Sequence, residues 1–187
     1  MLKAMTEQSE LSRRYRTSAG SIFGVVLLVG MPLAAADDNP EPVVAEPLTE
    51  RVVLTDEASM EIRLRPEGRS EEVIQFDDPS RFAVFRFTIQ PGAVFPWHTH
   101  PGLALAGVQQ GELVYVYADD CVERSYPGGT MFIDPGGDNV HTAFNPSSSE
   151  EAVVVATFIN APEEGGLTLP VDDDESARLD EECGIER

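Results

Sequence analysis

GAVFPWHTHPGLALAGVQQG, residues 92–111, and GTMFIDPGGDNVHTAFN, residues 129–145, hold all three histidines of this 187-residue chain. His98 and His100 stand one residue apart. Alternate residues of a strand point to the same face, so both imidazoles aim at one point. Imidazole suits Zn, Cu, Fe and Ni, and two strand residues so placed can share one metal. The same parity carries the inward face on through Ala104 and Ala106, whose small side chains leave room for a ligand. It turns Phe95 and Trp97 to the opposite face. His141 stands alone in the second stretch, after the turn Pro135-Gly136-Gly137 and four residues before Asn145.

The text on either side is of the same kind. Short runs rich in Val, Ile, Phe and Tyr recur from Arg51 onward: 52–54, 61–64, 83–89, 112–117, 130–133 and 152–159. Gly, Pro and Asp turns separate them at intervals of about ten residues, the spacing of an all-β sandwich or barrel. No long helical periodicity and no internal repeat is visible. Asp37–Glu50 is rich in Pro and acid. Pro40, Pro42 and Pro47 exclude a regular helix or a central strand there, so 37–50 reads as a linker. The barrel is expected over 51–160. Residues 161–187 form an acidic tail, read as loop or a short terminal helix.

The two stretches together resemble the paired signature motifs of the cupin superfamily. Gly92 opens the first: five residues, His98-Thr99-His100, and a closing Gly111. Gly129 opens the second: five residues, Pro135, the glycines, His141 and Asn145. Seventeen residues lie between Gly111 and Gly129, similar to the short connection of small bacterial cupins. The resemblance implies a double-stranded β-helix, a jelly-roll-like barrel with a metal held at one end by His98, His100 and His141. Asn145 is then a turn residue. Two departures are visible. Three residues separate Gly137 from His141, one more than the strict motif allows. The acidic ligand of the first motif falls at Ala104, and neither Ala104 nor Leu105 can ligate.

The expected site is therefore three neutral imidazoles without an anionic protein ligand. Such a site leaves a divalent transition metal its full charge and favours a small anionic substrate that supplies the missing one. The ligand set is similar to that of three-histidine cupin dioxygenases, which implies Fe(II), with Zn, Ni, Cu or Mn as other occupants. The function expected is an oxidoreductase of dioxygenase type. Two alternatives stand beside it: a metal-dependent lyase or isomerase of small organic acids, and a non-enzymatic cupin that binds metal or a small ligand. Tyr115 and Tyr126 are the candidate acid/base or hydrogen-bonding groups, with Tyr117 beside them. Arg86, inside an apolar run, either anchors a substrate carboxylate or pairs with surface acid. Gln109 and Gln110 read as turn residues. A homodimer is implied by the resemblance alone.

Composition narrows the partners. Thirteen basic residues against 33 acidic give a formal charge of −20, which excludes a general nucleic-acid binder, since such a protein replaces phosphate counterions with Lys and Arg. Residues 1–36 have the order of a secretory signal peptide. Lys3, Arg13, Arg14 and Arg16 precede an apolar run, 18–33, that ends in Ala34-Ala35-Ala36. Ser12-Arg13-Arg14 is similar to the start of a twin-arginine signal. Removal of this segment gives an exported protein, periplasmic or secreted. The alternative is an uncleaved N-terminal anchor. The segment holds four basic and two acidic residues, so 37–187 carries nine against 31, a formal −22. In an exported chain the two cysteines, Cys121 and Cys183, are expected to form a disulfide.

Overall fold

The computed structural model describes residues 41–187 apart from 78 and 80. The signal-like segment 1–36 lies outside the described residues. Twelve strands and one helix follow in order: β1 Val43–Val53, β2 Met60–Leu64, β3 Glu72–Phe76, β4 Arg81–Ile89, β5 His98–Thr99, β6 Leu103–Gln110, β7 Glu112–Tyr117, β8 Glu123–Pro127, β9 Met131–Asp134, β10 His141–Phe144, β11 Ala152–Ile159, β12 Leu169–Pro170 and α1 Asp173–Cys183. They form two five-stranded sheets, β1-β4-β11-β6-β9 and β12-β5-β10-β7-β8, and a separate β2–β3 hairpin. All pairings are antiparallel among the described strands. This all-β arrangement fits a double-stranded β-helix.

Alternation builds the interior. On β11, Ala152, Val154, Ala156 and Phe158 are buried while Val153, Val155 and Thr157 between them are half-buried, the pattern of a strand with one face on a core. Opposite them, Leu113 and Tyr115 on β7 and Ala143 on β10 complete the lining with Ile89, Ala106, Val108 and Phe132. β7 departs from alternation, because Val114 and Val116 on its outer face are buried too. The cover is α1: Leu179, Trp97, Val114 and Val116 form a second apolar layer outside the sheet.

The acid run 172–175 makes sense as a helix start. Asp172 caps the helix, its side chain accepting from the Glu175 N–H, and Asp173, Asp174 and Glu175 fill the first turn. Negative charge there complements the partial positive charge of the helix N-terminus. Gly184 ends the helix in the left-handed conformation, donating its N–H to the Asp180 carbonyl. Three further ties hold the segment. The Trp97 indole donates to Asp180 at 2.7 Å, Arg187 donates to the Phe95 carbonyl at 2.7 Å, and Cys121 is joined to Cys183 with Cα atoms 4.9 Å apart.

The expected linker 37–50 is corrected from residue 43 onward, where it becomes the edge strand β1. Proline is excluded from a central strand because it lacks an N–H, but an edge strand tolerates it at a bulge. Pro47 sits opposite Phe85, immediately before a register shift.

Candidate metal centre

β5 is two residues long, yet it fixes the site. His98 on β5 pairs with His141 on β10, and on its other side with Pro170 on β12. His100 follows on the same face. The turn at 135–137 is bolted to it: Gly137 N–H donates to the His100 carbonyl at 2.8 Å, and Thr99 Oγ1 donates to the Gly137 carbonyl at 2.6 Å. Gly136 is required here. Its φ is +65°, and a Cβ would lie 2.0 Å from the Gly102 carbonyl oxygen. Asn145 closes the far end of β10; it is buried, and its amide donates to the carbonyls of Ile89, Gln90 and Glu150.

The three imidazoles converge. All are buried, their ring centroids lie 4.3, 4.8 and 5.2 Å apart, and one ligand atom from each falls within 4.8 Å of the others. Each Nδ1 faces a backbone carbonyl: His98 faces Pro96 at 2.6 Å, His100 faces Leu167 at 2.7 Å and His141 faces Asn139 at 3.0 Å. A carbonyl oxygen only accepts, so each Nδ1 carries a proton. In the neutral ring that leaves Nε2 a bare lone pair, and His98 Nε2 lies 3.1 Å from His141 Nε2. Two acceptors at this distance repel unless something positive lies between them. Ligands of a transition metal bonded at about 2.1 Å stand roughly 3 Å apart, so the donor set fits such an ion. The backbone carbonyls supply the outer support that holds metal-bound histidines in one tautomer.

A fourth group reaches the same point. Asp134, the last residue of β9, is 3% exposed. Its Oδ2 lies 3.2 Å from His100 Nε2 and 3.0 Å from His141 Nε2. Its Oδ1 accepts from the Gly136 N–H at 2.9 Å. The expectation of three imidazoles with no carboxylate beside them is thus corrected. Asp134 is directly opposite Ala104 across the β6–β9 pair, so position 104 lacks an acid while its neighbour on the next strand supplies one. A visible signal existed: Asp134 is a lone acid closing the apolar run Met131-Phe132-Ile133.

With a proton rather than a metal among these groups, burial and charge divide them. Burial, and then the charges of His141 and His100, push His98 down to about 3. Burial lowers His100 too, but Asp134 outweighs it and raises it overall. Burial raises Asp134, and the charge of His141 with hydrogen bonds from His100 and His141 overcomes this, holding the carboxyl well below the usual range.

The site opens into a cavity of about 80 Å³. Ala104 and Ala106 line it, as strand parity requires, with Phe87, Phe158, Tyr115 and Phe132. Phe95 lines it as well, against the parity expectation. The reason is local: regular pairing begins only at His98, and Val94 makes just an isolated bridge to Phe144. Trp97 does face outward, under α1.

The tyrosines part company. Tyr115 stacks on His141, centroids 4.7 Å apart at 20°, and its buried hydroxyl has no hydrogen-bond partner among the described residues. Burial, then the Asp134 charge, raises its pKa well above the ordinary value, so the hydroxyl is a proton donor. Tyr117 packs edge-on against Tyr115 and lies under the Arg69 guanidinium, 4.1 Å from its ring centroid. Tyr126 is corrected: it stacks on Phe132 at 4.3 Å, lines a groove with Leu64, Arg65 and Glu67, and does not line the histidine cavity. Arg86 is outside the barrel, paired with Glu46 at 3.2 Å. Gln109 and Gln110 are exposed at the end of β6.

Residues 85–158 match the family model described as Cupin domain. With both motifs and this barrel, the chain belongs to the cupin superfamily. Among solved structures it is similar to a cupin-like protein from Thermotoga maritima, at 22% identity over 52% of this chain and 72% of that one, TM-score 0.42. It is also similar to a protein with a double-stranded β-helix domain from Klebsiella pneumoniae, at 25% over 49% and 71%, TM-score 0.40. A third is a DMSP lyase from Ruegeria pomeroyi, at 14% over 48% of this chain and 43% of that one, TM-score 0.40. No curated protein matches the sequence.

Proposed function

We propose that this chain is an exported, mononuclear metal enzyme, an oxidoreductase of dioxygenase type acting on a small molecule with an apolar body. The observation that carries the proposal is the convergence of three lone-pair Nε2 atoms at the floor of an apolar cavity. A divalent metal held there by His98, His100 and His141 supplies Lewis acidity and, if it is iron, access to oxygen chemistry. The chain's own residues do the rest. Phe87, Phe95 and Phe158 offer the apolar wall, and Ala104 and Ala106 leave the space. None of the described residues lining the cavity is Lys or Arg, so a substrate anion has no basic side chain to meet and its charged end belongs at the metal. The volume limits the reacting part to a few heavy atoms.

Tyr115 favours a second reading, a metal-dependent lyase or isomerase. Such chemistry needs a protein group to deliver or take a proton, and a buried hydroxyl without a partner lies against His141. The two readings separate in one experiment. The chain is loaded with Fe(II) and offered small thiols, diketones and organic acids, with oxygen uptake and product followed together. Uptake coupled to product supports the oxidoreductase. Product formed equally without oxygen supports the lyase or isomerase. Metal bound with neither outcome leaves a binding protein.

Export rests on the signal-like order of residues 1–36 and on the Cys121–Cys183 disulfide, since such bonds persist in oxidising compartments. Terminal sequencing of the mature protein is expected to begin at Asp37. A mature chain that keeps residues 1–36 sinks the cleavage proposal.

A further inference from the structure

We propose that Asp134 is a fourth metal ligand, a carboxylate delivered from β9 to the position that Ala104 leaves vacant on the neighbouring strand. The inference rests on the metal-binding reading above. Three measurements place the oxygen. Oδ2 stands 3.2 Å from His100 Nε2 and 3.0 Å from His141 Nε2, and His141 Nε2 in turn lies 3.1 Å from His98 Nε2. The oxygen therefore stands as far from the nitrogens of His100 and His141 as the nitrogens of His98 and His141 stand from each other, which is the spacing of neighbours in one coordination shell. Second, the other oxygen is already committed. Oδ1 accepts the Gly136 N–H, so the carboxylate is oriented, and only Oδ2 is free to bind.

Third, the charge needs an answer. Asp134 is 3% exposed, and the described cavity lining contains no Lys or Arg. A buried carboxylate is costly unless it is paired or coordinates a cation. The imidazoles, their Nδ1 protons held by Pro96, Leu167 and Asn139, have no proton for it while neutral. A metal ion satisfies all four acceptors at once. Register explains why an aspartate serves. Residues directly opposite in an antiparallel pair have Cβ atoms about 5 Å apart on the same face, so 104 and 134 address the same space from adjacent strands. Bound this way, a divalent metal keeps a net charge of one, and the substrate need not be a dianion.

The test uses Co2+ and Zn2+ alone, with chelator competition and the visible Co2+ spectrum as readouts. Wild type, Asp134→Asn, Asp134→Cys, Asp134→Ala and the double variant Asp134→Ala with Ala104→Glu are compared. Asn keeps an acceptor for Gly136 but removes the charge. It is expected to weaken Co2+ binding at least tenfold and to shift the visible bands. Cysteine is expected to add a thiolate-to-cobalt charge-transfer band, which arises only when the side chain at 134 coordinates the ion. The double variant is expected to recover at least tenfold over Asp134→Ala alone, because the acid returns from the adjacent strand. Circular dichroism establishes which variants fold. Wild-type affinity and spectrum in Asp134→Asn, or Co2+ bound to Asp134→Cys without the new band, overturn the assignment and leave the three-histidine site standing. No binding of either ion by wild type overturns the metal-site reading itself.

Discussion

Each residue at the centre is judged by what its atoms can donate or accept. Tyr115 is the sharpest case. A buried hydroxyl without a partner costs about 1–3 kcal/mol in stability, and this one lies in the cavity against His141. Tyr115→Phe is therefore expected to leave the melting temperature unchanged or raised, with metal content intact, while ligand binding or turnover falls. A clear drop in melting temperature means the hydroxyl supports the fold instead. Gly136 is the opposite case. Its left-handed φ and the carbonyl at 2.0 Å from a built Cβ mean that Gly136→Ala moves the 135–137 turn, at a cost of about 1–3 kcal/mol in stability. Metal affinity is expected to fall with it, since the same turn holds His100 and Asp134. Calorimetry with metal titration reads both. The histidines were legible as a pair and a single because identity and spacing suffice for them. Asp134 was legible only as a lone acid after an apolar run; its place beside the histidines depends on which residue faces it across β6–β9, and register is set by pairing between distant segments.

At the scale of elements, the C-terminal segment is part of the site. β12 pairs with the strand that carries His98, and the Leu167 carbonyl holds the His100 ring. α1 is anchored by Leu179 on the outer face of β7 and by the Cys121–Cys183 bridge, 62 residues apart in sequence. Closing a loop of that length stabilises by about 4 kcal/mol in the chain-entropy model. Reduction, or Cys183→Ser, is expected to lower the melting temperature and weaken metal binding together; weaker stability with unchanged affinity separates the tail from the site. The sequence left the tail open between loop and a short terminal helix, because its acid run reads as solvated until the capping geometry and the buried Leu179 are seen. Phe95 was misplaced for a related reason: parity counts faces only through regular strand, and β5 is too short to carry it back. The turn between β7 and β8 gives a pH test. Arg124 chiefly, with Arg69 and the Val122 N–H, holds Asp120 down at about 2, below the ordinary carboxyl value near 3.9. A lowered folded pKa stabilises above the unfolded value and is lost as pH falls toward the folded one. Asp120→Asn is expected to cost up to about 1 kcal/mol near neutral pH, and that difference should shrink as the pH falls through about 2 and vanish below it. A pH-independent difference between the two proteins assigns the effect to packing.

For the whole molecule, charge and fold are separate matters. A formal −20 acts through self-repulsion, which opposes compaction and is screened by salt. Melting temperature is expected to rise as NaCl increases from low to moderate concentration; a fall would mean that surface ion pairs such as Arg69–Asp119 outweigh the repulsion. Among the described residues no helix is long and apolar enough to cross a membrane. The barrel and the motif histidines were readable because alternation and turn residues are local signals. The edge strand was not, since proline forbids a central strand and composition alone does not distinguish an edge from a linker.

The first measurement is elemental analysis of the untagged mature protein, purified without chelator, beside the His98→Ala/His100→Ala variant. Near-stoichiometric transition metal in the first, absent from a folded second, is the expected result. Equal metal in both, or none in the wild type even after reconstitution, would remove the metal centre and leave the four converging groups as a buried hydrogen-bonded cluster.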